Sequence, residues 1–245
     1  MARVRALSHW KRWLIAGVAA IVAVVVVGPF VYIHFIEGKA PAPLSLSNTT
    51  TPKGASQAGA TTTTPASSGA SSAIDGTWNV SSGSTAGYRI QETLFGQSNT
   101  AVGRTNTITG SITISGSRVP SGQFIVDMTT VTSDKSQRDR YFQGRIMNTA
   151  TYPTATFTLT QPIQLGTVPP DGATMTAAAT GSLTLHGTTK NVTFQPQARR
   201  SGNTIAVSGS IPIVFADYGI SNPSGGPATT GSSGTLEFLL EFSHA

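Results

Sequence analysis

No cysteine occurs among the 245 residues, which removes disulfides, thiolate metal sites and a cysteine nucleophile in one step. Charged residues are scarce at 11% of the chain, and there are only four histidines. From residue 75 onward only His186 and His244 remain. No paired-His spacing for zinc is present, no G-x-S-x-G turn that would expose a serine nucleophile, and no Gly-rich phosphate loop ending in Lys-Ser/Thr. Catalysis needs convergent polar groups. With so few of them, the chain is expected not to be an enzyme and to carry neither metal nor cofactor.

A basic surface is also missing where a polyanion would need one. The formal charge is +6, but from Asp75 onward ten Lys/Arg face nine Asp/Glu. The excess resides in Arg3, Arg5, Lys11, Arg12, Lys39 and Lys53, which suits a membrane flank better than a nucleic-acid footprint. Residues 1–12 hold four of these cations and no acid, and Trp13 to Ile36 is a run of 24 residues without a formal charge. A hydrocarbon core of ~30 Å needs about 20 apolar residues, so 13–36 is expected to span a membrane. Trp10, Trp13, Phe30, Tyr32 and Phe35 suit the two interfaces. The positive-inside rule leaves residues 1–12 in the cytoplasm and everything after Ile36 outside the cell membrane. The rival is a signal peptide cleaved after Ala40-Pro-Ala42. Pro43 just after the cut, and an apolar stretch longer than an ordinary h-region, favour the uncleaved anchor.

Residues 37–73 lack any large apolar side chain after Leu46 and are rich in Thr, Ser, Ala, Pro and Gly. Such a segment cannot bury a core and reads as a flexible linker. Its Thr/Ser content also leaves glycosylation open.

From residue 74 to 245 the pattern changes to period-2 alternation between turn residues. Ala179, Gly181, Leu183 and Leu185 share one face, and after His186-Gly187 the alternation resumes at Val192 and Phe194. This is a β-hairpin with Gly187 at a position suited to positive φ. The same alternation runs through Ala86, Tyr88 and Ile90; Ile108, Ile112 and Ile114; Phe124, Val126 and Met128; and Ala155, Phe157 and Leu159. Ile205 to Ile213 and Leu236 to Phe242 complete it, with Trp78-Asn79-Val80 at the start. About eight strands result. Ser133 to Asn148 breaks the alternation and reads as one short helix, with Ser133 or Asp134 as N-cap.

The expected fold is all-β: an eight-stranded antiparallel barrel with one short helix, since closure removes exposed strand edges. Such a barrel holds either packed side chains or one small ligand. Ala86, Ala155, Ala177, Ala179, Gly181 and Gly209 on the apolar faces either leave a lumen partly empty or make room for bulky neighbours. Sequence alone leaves both open.

The order of motifs resembles the YceI-like family of polyisoprenoid-binding proteins with a lipocalin-like barrel. It runs from Asp75-Gly-Thr-Trp78 through Gly87-Tyr88-Arg89-Ile90, Arg138-Asp139 and Tyr152-Pro153-Thr154-Ala155-Thr156-Phe157. It continues in Gly181-Ser-Leu-Thr-Leu-His186-Gly187-Thr-Thr-Lys190 and Phe215-Ala-Asp217-Tyr218-Gly219-Ile220. An Asp-Pro-x-His-Ser element common in relatives is replaced here by Ser81-Ser82-Gly83-Ser84-Thr85, so no role of that histidine carries over. The linker and anchor look like a membrane-bound actinobacterial form. The resemblance implies an apolar tunnel for an isoprenoid-like lipid and no catalytic residues. Tunnel candidates are Tyr88, Ile90, Ile112, Phe124, Val126, Met128, Phe157, Leu159, Leu183, Leu185, Phe194, Ile211, Phe238 and Leu240. Head-group candidates are Arg138, His186 and Asp217. The alternative is a packed β-domain displayed on a stalk for a protein or cell-wall partner. A connected apolar cavity of ~300 Å³ or more, the lower range of ligand sites, favours the first, and dense packing the second.

Overall fold

The computed structural model describes Trp10, Trp13, residues 16–18, Ile21, and residues 40–48, 74–225 and 228–245. The expected stub, most of the 13–36 span and residues 49–73 therefore lie outside the described residues. Among the described residues no helix is long and apolar enough to cross a membrane.

Among the described residues fifteen strand segments form one hydrogen-bonded sheet, antiparallel throughout. They are β1 Gly76–Val80, β2 Thr85–Leu94, β3 Gln97–Thr105, β4 Ile108–Ser115, β5 Arg118–Asp127, β6 Thr132–Ser133, β7 Thr154–Leu159 and β8 Ile163–Gln164. Then come β9 Thr174–Thr176, β10 Ala179–Leu185, β11 Thr188–Phe194, β12 Gln197–Ser201, β13 Thr204–Val214, β14 Ala228–Thr230 and β15 Ser233–His244. The long path runs β11-β10-β7-β5-β4-β1-β15-β13-β12-β9. Strand β15 is the branch point: its Thr235–Leu239 part pairs with β2, its final residues pair with β1, and its other edge runs along β13.

The expectation of a closed barrel is corrected here. No ladder joins β11 to β9 or β12 among the described residues, although Phe194 of β11, Met175 of β9 and Ala198 of β12 line the same interior cavity. The sheet curls round a common interior without closing. Its edges are protected in another way: β9 is three residues long and β11 exposes Lys190 and Asn191, two devices that discourage edge pairing.

The central hairpin has the alternation its sequence dictates, with Ala179, Gly181, Leu183 and Leu185 buried. Both turn residues take positive φ, His186 at 50° and Gly187 at 75°, as a two-residue hairpin loop with the right twist requires. The core is centred on Trp78 and Phe242, each 1% exposed. The Trp78 indole N–H donates to the Ile74 carbonyl at 2.9 Å, so burying the ring leaves no polar atom unpaired.

The helix is shorter than its sequence signal. Ser136–Tyr141 (α1) is followed by a π-type turn at Phe142–Ile146. Its N-cap is Lys135 with no side-chain cap bond, not Ser133 or Asp134. Asp139 instead reaches back and accepts from the Ser133 amide at 2.7 Å and its hydroxyl at 2.6 Å. Met128, expected to continue β5, begins a 3₁₀ turn at Met128–Thr130 that Asp127 caps.

Two elements differ more. Strand β3 was not expected, because Ser98, Asn99, Thr100 and Arg104 hide its apolar residues and Ala101 and Val102 are buried side by side. Residues 40–48, read from the sequence as part of the flexible linker, lie packed across the outside of the sheet. Arg89 Nη2 donates to the Pro41 carbonyl at 2.7 Å, Arg104 Nη2 to that of Ala42, and Arg199 Nη2 to that of Leu46 at 2.9 Å. Leu46 is 5% exposed against Ala206 and Leu239. Beneath this strap Glu237 is 3% exposed, with ion pairs to Arg89 at 3.2 Å and Arg104 at 2.7 Å.

The small residues of the apolar faces divide into two groups. A Cβ on Gly181 would stand 2.4 Å from the Phe157 ring and 2.5 Å from the Thr158 carbonyl, and one on Gly209 would stand 2.6 Å from the Phe238 ring. These two glycines accommodate aromatic neighbours. Gly181→Ala is therefore expected to cost about 1–3 kcal/mol as overpacking, read as a shift in the urea midpoint. An unchanged midpoint would show that Phe157 moves freely. Ala86, Ala155, Ala177 and Ala179 do something different and line open space.

Candidate functional site

Alternation places one side chain in two of each strand inside the curled sheet, and the interior they enclose holds two adjoining cavities. The inner one, about 200 Å³, is walled by Ile112, Phe124, Phe157, Leu159, Leu183, Phe194, Ile211, Phe238 and Leu240, with Arg199 and Arg200 among its lining residues. Arg200 Nε lies 3.3 Å from an Asp171 carboxylate oxygen. The outer cavity is about 1190 Å³ and lies between β2 and the region of α1, lined by Tyr88, Ile90, Met128, Leu185 and residues of the helix. Ala86, Val126, Ala155 and Leu236 line both. These four mark where the two cavities adjoin, the waist between them, and two of them carry nothing beyond Cβ.

The rings inside are ordered by aromatic contacts. Phe124 packs on Phe157 at 6.4 Å and edge-on to Phe242 at 5.7 Å, and Phe194 meets Phe157 at 5.4 Å and Phe238 at 5.8 Å, all within the range in which aromatic pairs gain energy beyond area burial. In the outer cavity Tyr88 stacks on Phe142 at 4.9 Å. Burial is the main cause that raises the Tyr88 phenol above its ordinary range, against a smaller opposing effect of Arg138. At neutral pH it presents a neutral hydroxyl.

Polar groups collect at one end of the outer cavity. Lys135, Arg138, Arg140 and Arg145 line it together with Glu92 and Asp134. Arg138 is hydrogen-bonded to Asp134 and lies 3.5 Å from Glu92. Burial works against its charge, but Asp134, Glu92 and Tyr88 outweigh that and hold the guanidinium above its ordinary value. Arg145 lies over the Tyr141 ring at 5.6 Å.

All fourteen tunnel candidates line one cavity or the other, and Val126 lines both. Of the head-group candidates only Arg138 does so. His186 caps the β10-β11 turn, its Nδ1 3.2 Å from the Tyr218 carbonyl and its ring 4.7 Å from that of Tyr152. Asp217 is exposed in the 3₁₀ turn Phe215–Tyr218. Neither lines a cavity, and no hydrogen bond joins them among the described residues. The sequence did not single out Lys135, Arg140 or Arg145 as head-group candidates; they line the outer cavity from α1 and its flanks. It gave no prominence to Val119, Ile163, Leu165 and Val168, which wall the inner cavity from β5, β8 and the loop after it. Two-residue β8 is too short to show an alternation.

The YceI-like domain family matches residues 78–242. No curated protein matches the chain. A polyisoprenoid binding domain from Saccharophagus degradans, implicated in plant cell wall breakdown, has a similar fold. Its TM-score is 0.55 at 18% identity, over 69% of this chain and 98% of that one. Burkholderia cenocepacia BcnA is similar at TM-score 0.53 and 18% identity, over 66% and 98%. At such identities the likeness is one of fold.

Proposed function

The chain belongs to the YceI-like domain family, and from that premise we propose that it is a non-catalytic, membrane-anchored binding protein on the outer side of the cell membrane. Its ligand is a long-chain isoprenoid-like amphiphile. The observation that carries this is the pair of cavities meeting at Ala86, Val126, Ala155 and Leu236. The inner cavity alone, about 200 Å³, would suit the packed-domain alternative. The outer one, about 1190 Å³, exceeds the ~300 Å³ lower range of ligand sites. The apolar inner end takes the tail, which gains roughly 25 cal/mol per Å² of apolar surface buried. The head group lies among Lys135, Arg138 and the Tyr88 hydroxyl. The polyisoprenoid-binding character of the Saccharophagus degradans domain supports the same ligand class.

The anchor is supported by the uncharged run 13–36 and by its described residues. Trp13, Val18 and Ile21 are helical, yet 78%, 57% and 64% exposed, apolar surface that a bilayer would cover.

Native mass spectrometry of a chain lacking residues 1–39, which keeps the strap and the whole domain, tests the ligand. One lipid per chain is expected, co-purified or taken up from added geranylgeraniol. A chain that stays empty under both conditions would refute the lipid reading.

A further inference from the structure

We infer that the strap Ala40–Asn48 seats the domain directly on the bilayer, with the outer cavity and Phe95 on its lining facing the lipid head groups. Residues 49–73 then set no distance between domain and membrane. This rests on the membrane anchor proposed above.

The direction of the strap carries the orientation. Its first contact is Pro41 on Arg89, whose ladder partner on β15 is Thr235; its last is Leu46 on Leu239, whose partner is Thr85. Thr235 lines the outer cavity, whereas Leu240 and Phe242 further along β15 line the inner one. The chain therefore reaches the sheet from the outer-cavity end and runs toward the other. Only three residues, Glu37, Gly38 and Lys39, separate Ile36, the last of the proposed span, from Ala40, which makes four residue steps. At ~3.6 Å per residue they reach at most about 14 Å. A free linker over 37–73 would have an r.m.s. span of roughly 30 Å or more. The strap removes that freedom, because every path from span to domain is pinned within a few residues of the membrane exit.

The end it presents suits a lipid surface. Phe95 is 49% exposed at the tip of the β2-β3 hairpin with φ of 50°, a conformation uncommon for a bulky side chain and one that a hairpin tip ordinarily gives to Asn or Gly. Phe95 is among the residues lining the outer cavity, as are Arg140 and Arg145, both exposed. An exposed aromatic and exposed cations on the lining of one cavity are the residue types of an interfacial contact with anionic lipid. A ligand dissolved in the bilayer would then enter the outer cavity without crossing water.

The test uses the full chain in nanodiscs of phosphatidylglycerol and phosphatidylcholine containing a head-group quencher lipid. Because the chain has no cysteine, Ser98→Cys near the hairpin tip and Ser201→Cys at the opposite end each give a unique fluorophore site. The Ser98 label is expected to be quenched several-fold more than the Ser201 label. Inserting twelve Gly/Ser residues between Lys39 and Ala40 should reduce that quenching at least twofold, as should Phe95→Asp. The same insertion between Ala60 and Thr61 should change nothing. Equal quenching of the two labels, or loss of quenching on the second insertion, would overturn the inference while leaving the anchor standing. A chain that never enters the nanodisc would overturn the anchor and the inference with it.

Discussion

Ala155→Phe is expected to weaken binding of geranylgeraniol by at least tenfold while leaving geraniol within about twofold. Ala155 is 4% exposed and belongs to both cavities, so a ring there closes the waist and denies the tail the inner cavity. Excluding a single five-carbon unit forfeits about 4 kcal/mol of transfer at ~0.8 kcal/mol per carbon. Half of that still exceeds the ~1.4 kcal/mol of a tenfold change. The short alcohol fits within the outer cavity and should not notice. Ala86→Leu, placed on β2 rather than β7, makes the same test with a smaller intrusion. Thermal unfolding of both variants separates a blocked waist from a damaged core. Equal loss for the two alcohols, or no loss for either, would mean that the cavities do not act as one site.

Glu237→Ala is expected to lower stability by about 3 kcal/mol, the lower end of what removing one partner of a buried ion pair costs. The low end applies because Arg89 and Arg104 keep 16% and 24% of their side-chain surface exposed and recover some hydration. The substitution also frees the Leu44 amide, which lies 3.4 Å from a Glu237 carboxylate oxygen, so cleavage by protease between residues 40 and 48 should accelerate. Replacing the whole cluster, Glu237→Leu with Arg89→Met and Arg104→Met, should cost less than the single change, since no charge is stranded. Urea denaturation of the two variants decides. A single variant as stable as the parent would show that the strap, not the carboxylate, holds the two arginines.

The strand register of the central hairpin and the inward faces of β2, β4, β5, β7, β13 and β15 were legible in the sequence. Each follows from local rules: period 2 assigns a face, and a Gly with neighbours that tolerate positive φ assigns a turn. That the fourteen tunnel candidates line the cavities follows from the same rule, because a side chain on the apolar face of a curled sheet has nowhere to point but inward. His186 and Asp217 fail for the opposite reason. As polar residues near strand ends they could have served a ligand or a turn, and only the placement of the Tyr218 carbonyl beside the His186 ring assigns the turn.

By itself, then, the sequence determined the all-β class, the apolar interior and the absence of thiol chemistry, since these depend on composition and on spacing along the chain. The tertiary structure decided that the sheet curls without closing, that Gly181 and Gly209 yield space to phenylalanines while Ala86 and Ala155 leave it empty, and that a polar stretch with two leucines lies docked on a buried glutamate. Each of these depends on distances between residues far apart in sequence, such as the 148 positions separating Arg89 from Glu237. Local periodicity has no term for what the opposite wall contributes.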